Sequence, residues 1–311
     1  MEPADWTKRR ITFLSGGMNC AGWLLIPDRS GPFPCVILAN GFSGTMDWIL
    51  PDFGERFAAA GLAVLAFDYR HLGESDGDPR QIVDVRKQRE DLRNAIRFAI
   101  SDPAVDPSRV ALWGTSLGGS HVIVLAAEDR RVAAVVANMP ALDVLKGASV
   151  GAKVKKQAVS KFQLVATALR LLALATIDRV RGLIGMSPIY IRVYGEIGEA
   201  FFTDPALAER FQAVEKNSPT WKNQVAPRFL LQAPRYRKGT VARTAALILF
   251  SLANRDVEVS ADFIKEVAKE SPRAEINEYP VGHFEMYHGE VFEQVAADQV
   301  RFLRQHLLVQ E

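Results

Sequence analysis

The segment VALWGTSLGGSHV, Val110 to Val122, constrains this chain more than any other. An apolar, β-branched run stops at Gly114, one serine stands among small residues, and two further glycines follow before apolar residues resume. Extended chain must turn sharply into helix at Ser116. Side chains at the flanking glycines of such a turn would clash with the neighbouring strand and helix, and the serine is forced outward at its apex. The helix that begins there also aims unpaired N–H groups and the positive end of its dipole at the same point. A serine held this way is a candidate nucleophile, and the chain should then supply a base, an acid and an oxyanion pocket. The competing reading is an ordinary surface turn.

The surrounding pattern supplies the strand and the helix that the turn requires. RRITFL and AGWLLIP flank the glycine turn SGGMN and predict an opening hairpin. CVILAN, LAVLAFDYR, RVALWG and VAAVVANMP read as strands, and WILPDFGERFAAAG, DVRKQREDLRNAIRFAIS and SLGGSHVIVLAAE as helices between them. Short apolar strands alternating with helices predict an α/β fold with a mostly parallel sheet covered on both faces. The rhythm breaks after Pro140. From 141 to 227 the pattern is helical with no clear strand, and alternation resumes with TAALILFSLANRD, SADFIKEVAKES, AEINEYP, the loop VGHFEMYHG and a last helix. The division expected is a core of residues 1–140 and 228–311 with a helical insertion over 141–227.

Here the motifs carry a resemblance. Gly114-Thr115-Ser116-Leu117-Gly118 matches G-x-S-x-G between a predicted strand and a predicted helix, DYRHLGESDG resembles a D-x-R-x-x-G-x-S-x-G loop, and VDPSRVALWGTSLGGS resembles the approach to a nucleophile elbow. The chain resembles a serine hydrolase of the α/β-hydrolase superfamily, in the branch of dienelactone hydrolases, acetyl-xylan esterases and oligopeptidases. The resemblance covers both sheet-forming portions and leaves the middle unmatched. It implies the α/β-hydrolase fold, a catalytic triad, an oxyanion hole and a cap formed by the insertion.

A serine is a poor nucleophile at neutral pH unless a base takes its proton and an acid orients that base. Of five histidines, His283 is the expected base, because YPVGHFEMY places it just after the last predicted strand. His288 opens the last helix, His121 lies behind Ser116, His71 sits in a structural loop and His306 is a solvated helix residue on this reading. The chain order Ser, Asp, His of the superfamily selects Asp256 as the acid, with Asp143 and Glu258 as its rivals. The backbone N–H groups of Leu117 and Phe42 are the expected oxyanion donors, the latter in the loop NGFSG, where Asn40-Gly41 replaces the superfamily's usual His-Gly. The same five residues could also be only a turn.

Lys153, Lys155, Lys156 and Lys161 alternate with Val154, Ala158, Phe162 and Val165, an amphipathic helix with a basic face. A solvated cap helix is the plainest reading, with membrane-surface attachment or a homodimer contact as alternatives. The aromatic stretch IYIRVYGEIGEAFF offers Tyr190, Tyr194, Phe201 and Phe202 as substrate-binding residues or as packing between cap and core.

Composition excludes several other classes. With 48% hydrophobic and 24% charged residues the chain has globular proportions, and 38 basic against 36 acidic residues, a net charge of +2, give no reason to expect a nucleic-acid partner. Two cysteines cannot build a disulfide framework or a zinc cluster, and Cys35, within CVILAN, reads as a buried thiol. FQLVATALRLLALATI is interrupted by Arg170 and too short for a bilayer that takes a helix of about 20 residues, so no stable membrane insertion is expected. No secretory leader pattern opens the sequence, and a cytoplasmic location is expected. No metal-ligand spacing, dinucleotide fingerprint or phosphate loop is present, and no cofactor is expected.

The expected function is cleavage of a carboxylic ester of a small hydrophobic substrate, since the insertion offers no evident cluster of polar residues for a charged one. Thioesterase, lactonase or carbon–carbon bond hydrolase activity would use the same machinery. A non-catalytic ligand-binding protein on the same fold is the alternative of another class.

Overall fold

The computed structural model describes residues 5–147 and 160–308. Eight strands form one sheet in the order β1-β2-β4-β3-β5-β6-β9-β10. They are β1 (Trp6–Ser15), β2 (Met18–Pro27), β3 (Phe33–Ala39), β4 (Ala63–Phe67), β5 (Val105–Thr115), β6 (Val132–Asn138), β9 (Leu247–Ala253) and β10 (Ala274–Tyr279). β1 and β2 pair antiparallel, as the hairpin pattern predicts, β2 joins β4 antiparallel, and the remaining pairings are parallel. The central strands are apolar on both faces because helices cover both: β3 and β4 are buried at every position.

The longer helices among the described residues are α1 (Leu50–Ala59), α2 (Val85–Ser101), α3 (Leu117–Glu128), α4 (Lys161–Leu183), α5 (Ala208–Asn217), α6 (Ala261–Ala268) and α7 (Gly289–Leu307). α2 starts where the Asp84 side chain accepts from the N–H groups of Arg86 and Lys87, and it buries Gln88, Leu92, Ala95, Ile96 and Ala99 along one stripe. α1 packs against α7, and α2 against α3. Phe53 of α1 links the first pair to the sheet: its ring lies 4.7 Å from Trp113 of β5 and 5.0 Å from Phe292 of α7. Cys20 and Cys35 are both free and buried, and burial pushes each thiol up to about 12.

Between β6 and β9 the chain leaves the sheet, and here one expectation is corrected. The stretch read as free of strands contains β7 (Arg192–Tyr194) and β8 (Ala200–Phe202), paired parallel as a separate ribbon. Three residues are too few for a period of two to register in sequence, and both strands fall inside the aromatic-rich segment. α4 begins at a capping box in which Ser160 and Gln163 satisfy each other's backbone N–H groups. It is tied down at its far end by Asp178, a fully buried carboxylate that accepts from Arg228 at 2.6 and 2.8 Å. Lys153, Lys155, Lys156 and the side chain of Lys161, the basic face expected for this helix, lie outside the described residues. No helix among the described residues is long and apolar enough to cross a membrane.

Candidate active site

The turn from β5 into α3 is as tight as the glycines demanded. A Cβ on Gly118 would stand 2.1 Å from the Ala39 carbonyl oxygen, and one on Gly114 2.4 Å from that of Gly118. Ser116 between them has φ 52° and ψ −115°, a left-handed conformation that costs a side-chain-bearing residue about 1–3 kcal/mol and persists only where the surroundings enforce it. Those surroundings are hydrogen bonds: Ser116 N–H donates to the Asn138 carbonyl at 2.9 Å, and the Ser116 carbonyl accepts from Ala141 N–H at 2.9 Å. The serine is thereby fixed at the ends of β5 and β6, half-buried and facing a cavity.

That cavity, of about 260 Å³, is lined by Ser116, Leu117, Phe42, Phe201, Phe202 and Phe229 among a mostly apolar set. Phe42 is the hub of its aromatic wall, with ring centroids 4.3 Å from Phe229 and 4.7 Å from Phe201. Two of the four aromatic residues expected to touch substrate are therefore on the cavity and two are elsewhere. Tyr194 stacks on Phe211 at 4.7 Å with ring planes 3° apart, and Tyr190 turns outward to donate its hydroxyl to the Arg80 carbonyl. Packing outside the ribbon decides this: Tyr194 is drawn onto Phe211 of α5 and lines a separate depression with it, although Phe202 is its register partner in β8.

The loop NGFSG lies directly against the serine, since a Cβ on Gly41 would stand 3.4 Å from the Ser116 Cβ. Among the described residues the N–H groups of Phe42 and Leu117 have no hydrogen-bond partner. Asn40, standing where the superfamily usually has His, is buried and spends its whole side chain on the loop. Its amide donates to the carbonyls of Thr45 and Trp48, and its oxygen accepts from Gly41 N–H. The DYRHLGESDG motif supports the same loop from behind: Asp68 accepts from Met46 N–H at 2.7 Å and Glu74 N–H at 2.8 Å, while burial pushes its carboxyl up to about 7.

His283 sits in a short 3₁₀ turn after β10, buried, with Nδ1 2.6 Å from Asp256 Oδ2. The second Asp256 oxygen accepts from the N–H groups of Glu258 and Val259 at 2.7 and 3.0 Å, which leaves the carboxylate no freedom to rotate away. Glu258 lines both the Ser116 cavity and the depression beside it that His283 lines, and Phe284 packs 5.2 Å from Phe202. Asp143, the rival acid, is engaged otherwise. It accepts from the N–H groups of Leu145, Lys146 and Tyr236. Burial acts to raise its pKa, but those donors and Arg235 outweigh it and hold the carboxyl below the usual range.

The other histidines occupy structural places. His288 occupies the N-cap position of α7 without a side-chain capping bond, His71 pairs Nδ1 with the Pro79 carbonyl, and His121 is fully buried against Gln88. His306 departs from its expected solvated state, packing on Phe302 with a buried Nε2. Two supporting residues escaped sequence reasoning. Tyr287 meets Thr115, the residue before the serine, at 2.6 Å. Gln299 accepts from the Trp113 indole N–H at 2.8 Å and donates to Asn138 and Ser251 at 3.1 Å, joining the ends of β5, β6 and β9. A signal for Gln299 exists: it is the polar member of the stripe Phe292, Val295, Ala296, Phe302, Leu303 on α7.

A mostly parallel sheet that carries a strained serine between strand and helix is the architecture of an α/β hydrolase. Residues 31–293 match the family described as Serine aminopeptidase, S33, and the chain belongs to that family of serine hydrolases. It is 35% identical to the quorum-quenching protein AidA of Acinetobacter baumannii (strain MDR-ZJ06) across 94% of this chain and 93% of that one. The crystal structure of the α/β hydrolase GrgF from Penicillium sp. sh18 superposes with a TM-score of 0.77 at 25% identity, covering 97% of this chain and all of that one. Over a shorter span, 44% of this chain and 43% of its own, the thiohydrolase aneE of Aspergillus aculeatus is 36% identical.

Proposed function

We propose that this chain hydrolyses carboxylic esters of small, apolar acyl groups through an acyl-enzyme on Ser116. The observation that carries the reading is the apolar cavity opening on a strained, half-buried serine. Ser116 Oγ attacks the carbonyl carbon while His283 takes its proton, and Asp256, remaining ionised, holds the imidazole in the required tautomer. The oxyanion accepts from the N–H groups of Phe42 and Leu117, each donor contributing about 10²- to 10³-fold in rate. Collapse breaks the bond to the leaving group, which takes the proton back from His283, and water then resolves the acyl-enzyme by the same steps. The elements of residues 141–227 act as the cap that walls the acyl group off, contributing Phe201 and Phe202.

Similarity to a thiohydrolase and to GrgF, which is also named a polyketide transferase, favours a second reading in which the leaving atom is sulfur. Both follow from one acyl-enzyme, and a panel separates them: p-nitrophenyl esters of increasing chain length beside N-acetylcysteamine thioesters of the same acids. Turnover by the native chain, about 10³-fold or more above Ser116→Ala, is expected, together with a fluorophosphonate adduct on Ser116. A folded, monodisperse native chain that takes no adduct and cleaves neither series would overturn the proposal in favour of a ligand-binding protein.

A further inference from the structure

Beside the acyl cavity lies a second one of about 500 Å³, and Val85, Ala233 and Pro234 line both. Its walls carry five guanidinium groups, Arg86 and Arg89 from α2, then Arg235, Arg237 and Arg243, against the single carboxylate of Glu128. Glu128 is taken up by Arg93 at 2.7 Å, and Arg235 approaches Asp143 at 3.3 Å. Among the described residues, Arg86, Arg89, Arg237 and Arg243 form no ion pair. Arg89 is the most constrained of them: its Nε is buried without a hydrogen-bond partner, and its Nη2 comes no nearer to Ser120 Oγ than 3.5 Å. Burial, and beyond it the charges of Arg93 and Arg237, lower its pKa against the pull of Glu128. A folded protein that gathers like charges around a buried, unsatisfied donor lacks the anion that would relieve both.

We propose that this groove binds the phosphate-bearing portion of an acyl donor whose apolar acyl group fills the cavity at Ser116. Planar guanidinium forks match phosphate oxygens two at a time, and four forks without a carboxylate partner, of which Arg243 donates only to the Thr240 hydroxyl at 3.2 Å, exceed what one carboxylate could accept. The inference rests on the acyl-enzyme reading above and narrows it to thioesters of a phosphorylated thiol. In that reaction the carbonyl–sulfur bond breaks, the thiol leaves with the proton held by His283, and water supplies the oxygen that completes the acid. It also amends the expectation that no charged substrate fits: the acyl end is apolar, and the charge is recognised one wall away.

Free coenzyme A, titrated calorimetrically into the Ser116→Ala protein, tests the groove without turnover, so failure of the acyl-enzyme reading would not disturb the result. Binding at about 50 mM salt that weakens at least about tenfold at 0.5 M salt is expected, with a further loss of about tenfold or more in Arg89→Gln/Arg237→Gln. In the chain with Ser116 intact, kcat/KM for octanoyl-coenzyme A should exceed that for octanoyl-N-acetylcysteamine by about tenfold or more, the ratio falling toward one in Arg237→Gln, a change at an exposed site. Absence of coenzyme A binding at low salt, unaltered affinity in the double variant, or a ratio near one in the native chain would each overturn the proposal.

Discussion

His283 Nδ1 stands 2.6 Å from one oxygen of Asp256, and the other oxygen is clamped by two successive backbone N–H groups, those of Glu258 and Val259. The carboxylate is thus oriented before any substrate arrives, and the histidine takes its orientation from the carboxylate. Replacing Asp256 by Asn keeps the shape but permits the wrong imidazole tautomer, so kcat should fall about 10³- to 10⁴-fold with KM little changed. Asp143→Asn disturbs three backbone hydrogen bonds instead, and steady-state kinetics should show a far smaller loss of kcat. Equal losses in the two variants would contradict this assignment of the acid.

Phe201 lines the cavity at Ser116 and Tyr194 does not. Phe201→Ala should therefore move the preferred acyl chain to greater length and lower kcat/KM for the shortest ester by about tenfold, the scale expected from lost apolar contact. Tyr194→Phe should leave the chain-length profile where it was. A p-nitrophenyl ester series on both variants checks the contrast.

Gln299 holds three strand ends together from α7. A Gln299→Leu change would leave the Trp113 indole and the polar atoms of Asn138 and Ser251 without that partner in a dry interior, and urea denaturation should show a loss of about 2–4 kcal/mol. Because Asn138 also anchors the Ser116 N–H, activity per folded molecule should fall as well; a variant as stable as the native chain would remove the network from the account of the elbow.

Burial, with a smaller contribution from the Arg89 charge, holds the His121 pKa well below its usual 6.5. Its imidazole is neutral in the folded chain at a pH where the unfolded chain has taken up a proton. Stability is therefore complete above about pH 6.5 and declines as pH falls below that value. His71, lowered mainly by burial, acts in the same direction. Thermal melts should show Tm dropping from pH 7 to pH 5, and His121→Gln should flatten part of that slope. An unchanged slope would mean that other groups account for it.

How much of this was legible without the fold differs from one residue to the next. Sequence by itself determined the elbow, because a strand, a turn and a helix packed within a few residues leave only glycine room on either side of Ser116, and that constraint is local. The alternation of short apolar strands with amphipathic helices likewise announced the parallel sheet, because strands apolar on both faces must be covered on both, whereas strand order and register came only with the fold. His283 and Asp256 were reachable because each follows directly on a strand end, where chain order carries spatial meaning. Other features depended on contacts between segments far apart in the chain, and these only the tertiary structure decided. That His283 meets Asp256 while Asp143 is engaged by the N–H groups of residues 145, 146 and 236 could be seen only once the segments were packed together. Phe201 and Tyr194 look alike in sequence and part company through packing in a ribbon too short to leave a periodic trace. The arginines of the groove come from positions 86 to 243, and no spacing rule links them, since what draws them together is the packing of α2 and of the chain that returns to β9 on α3.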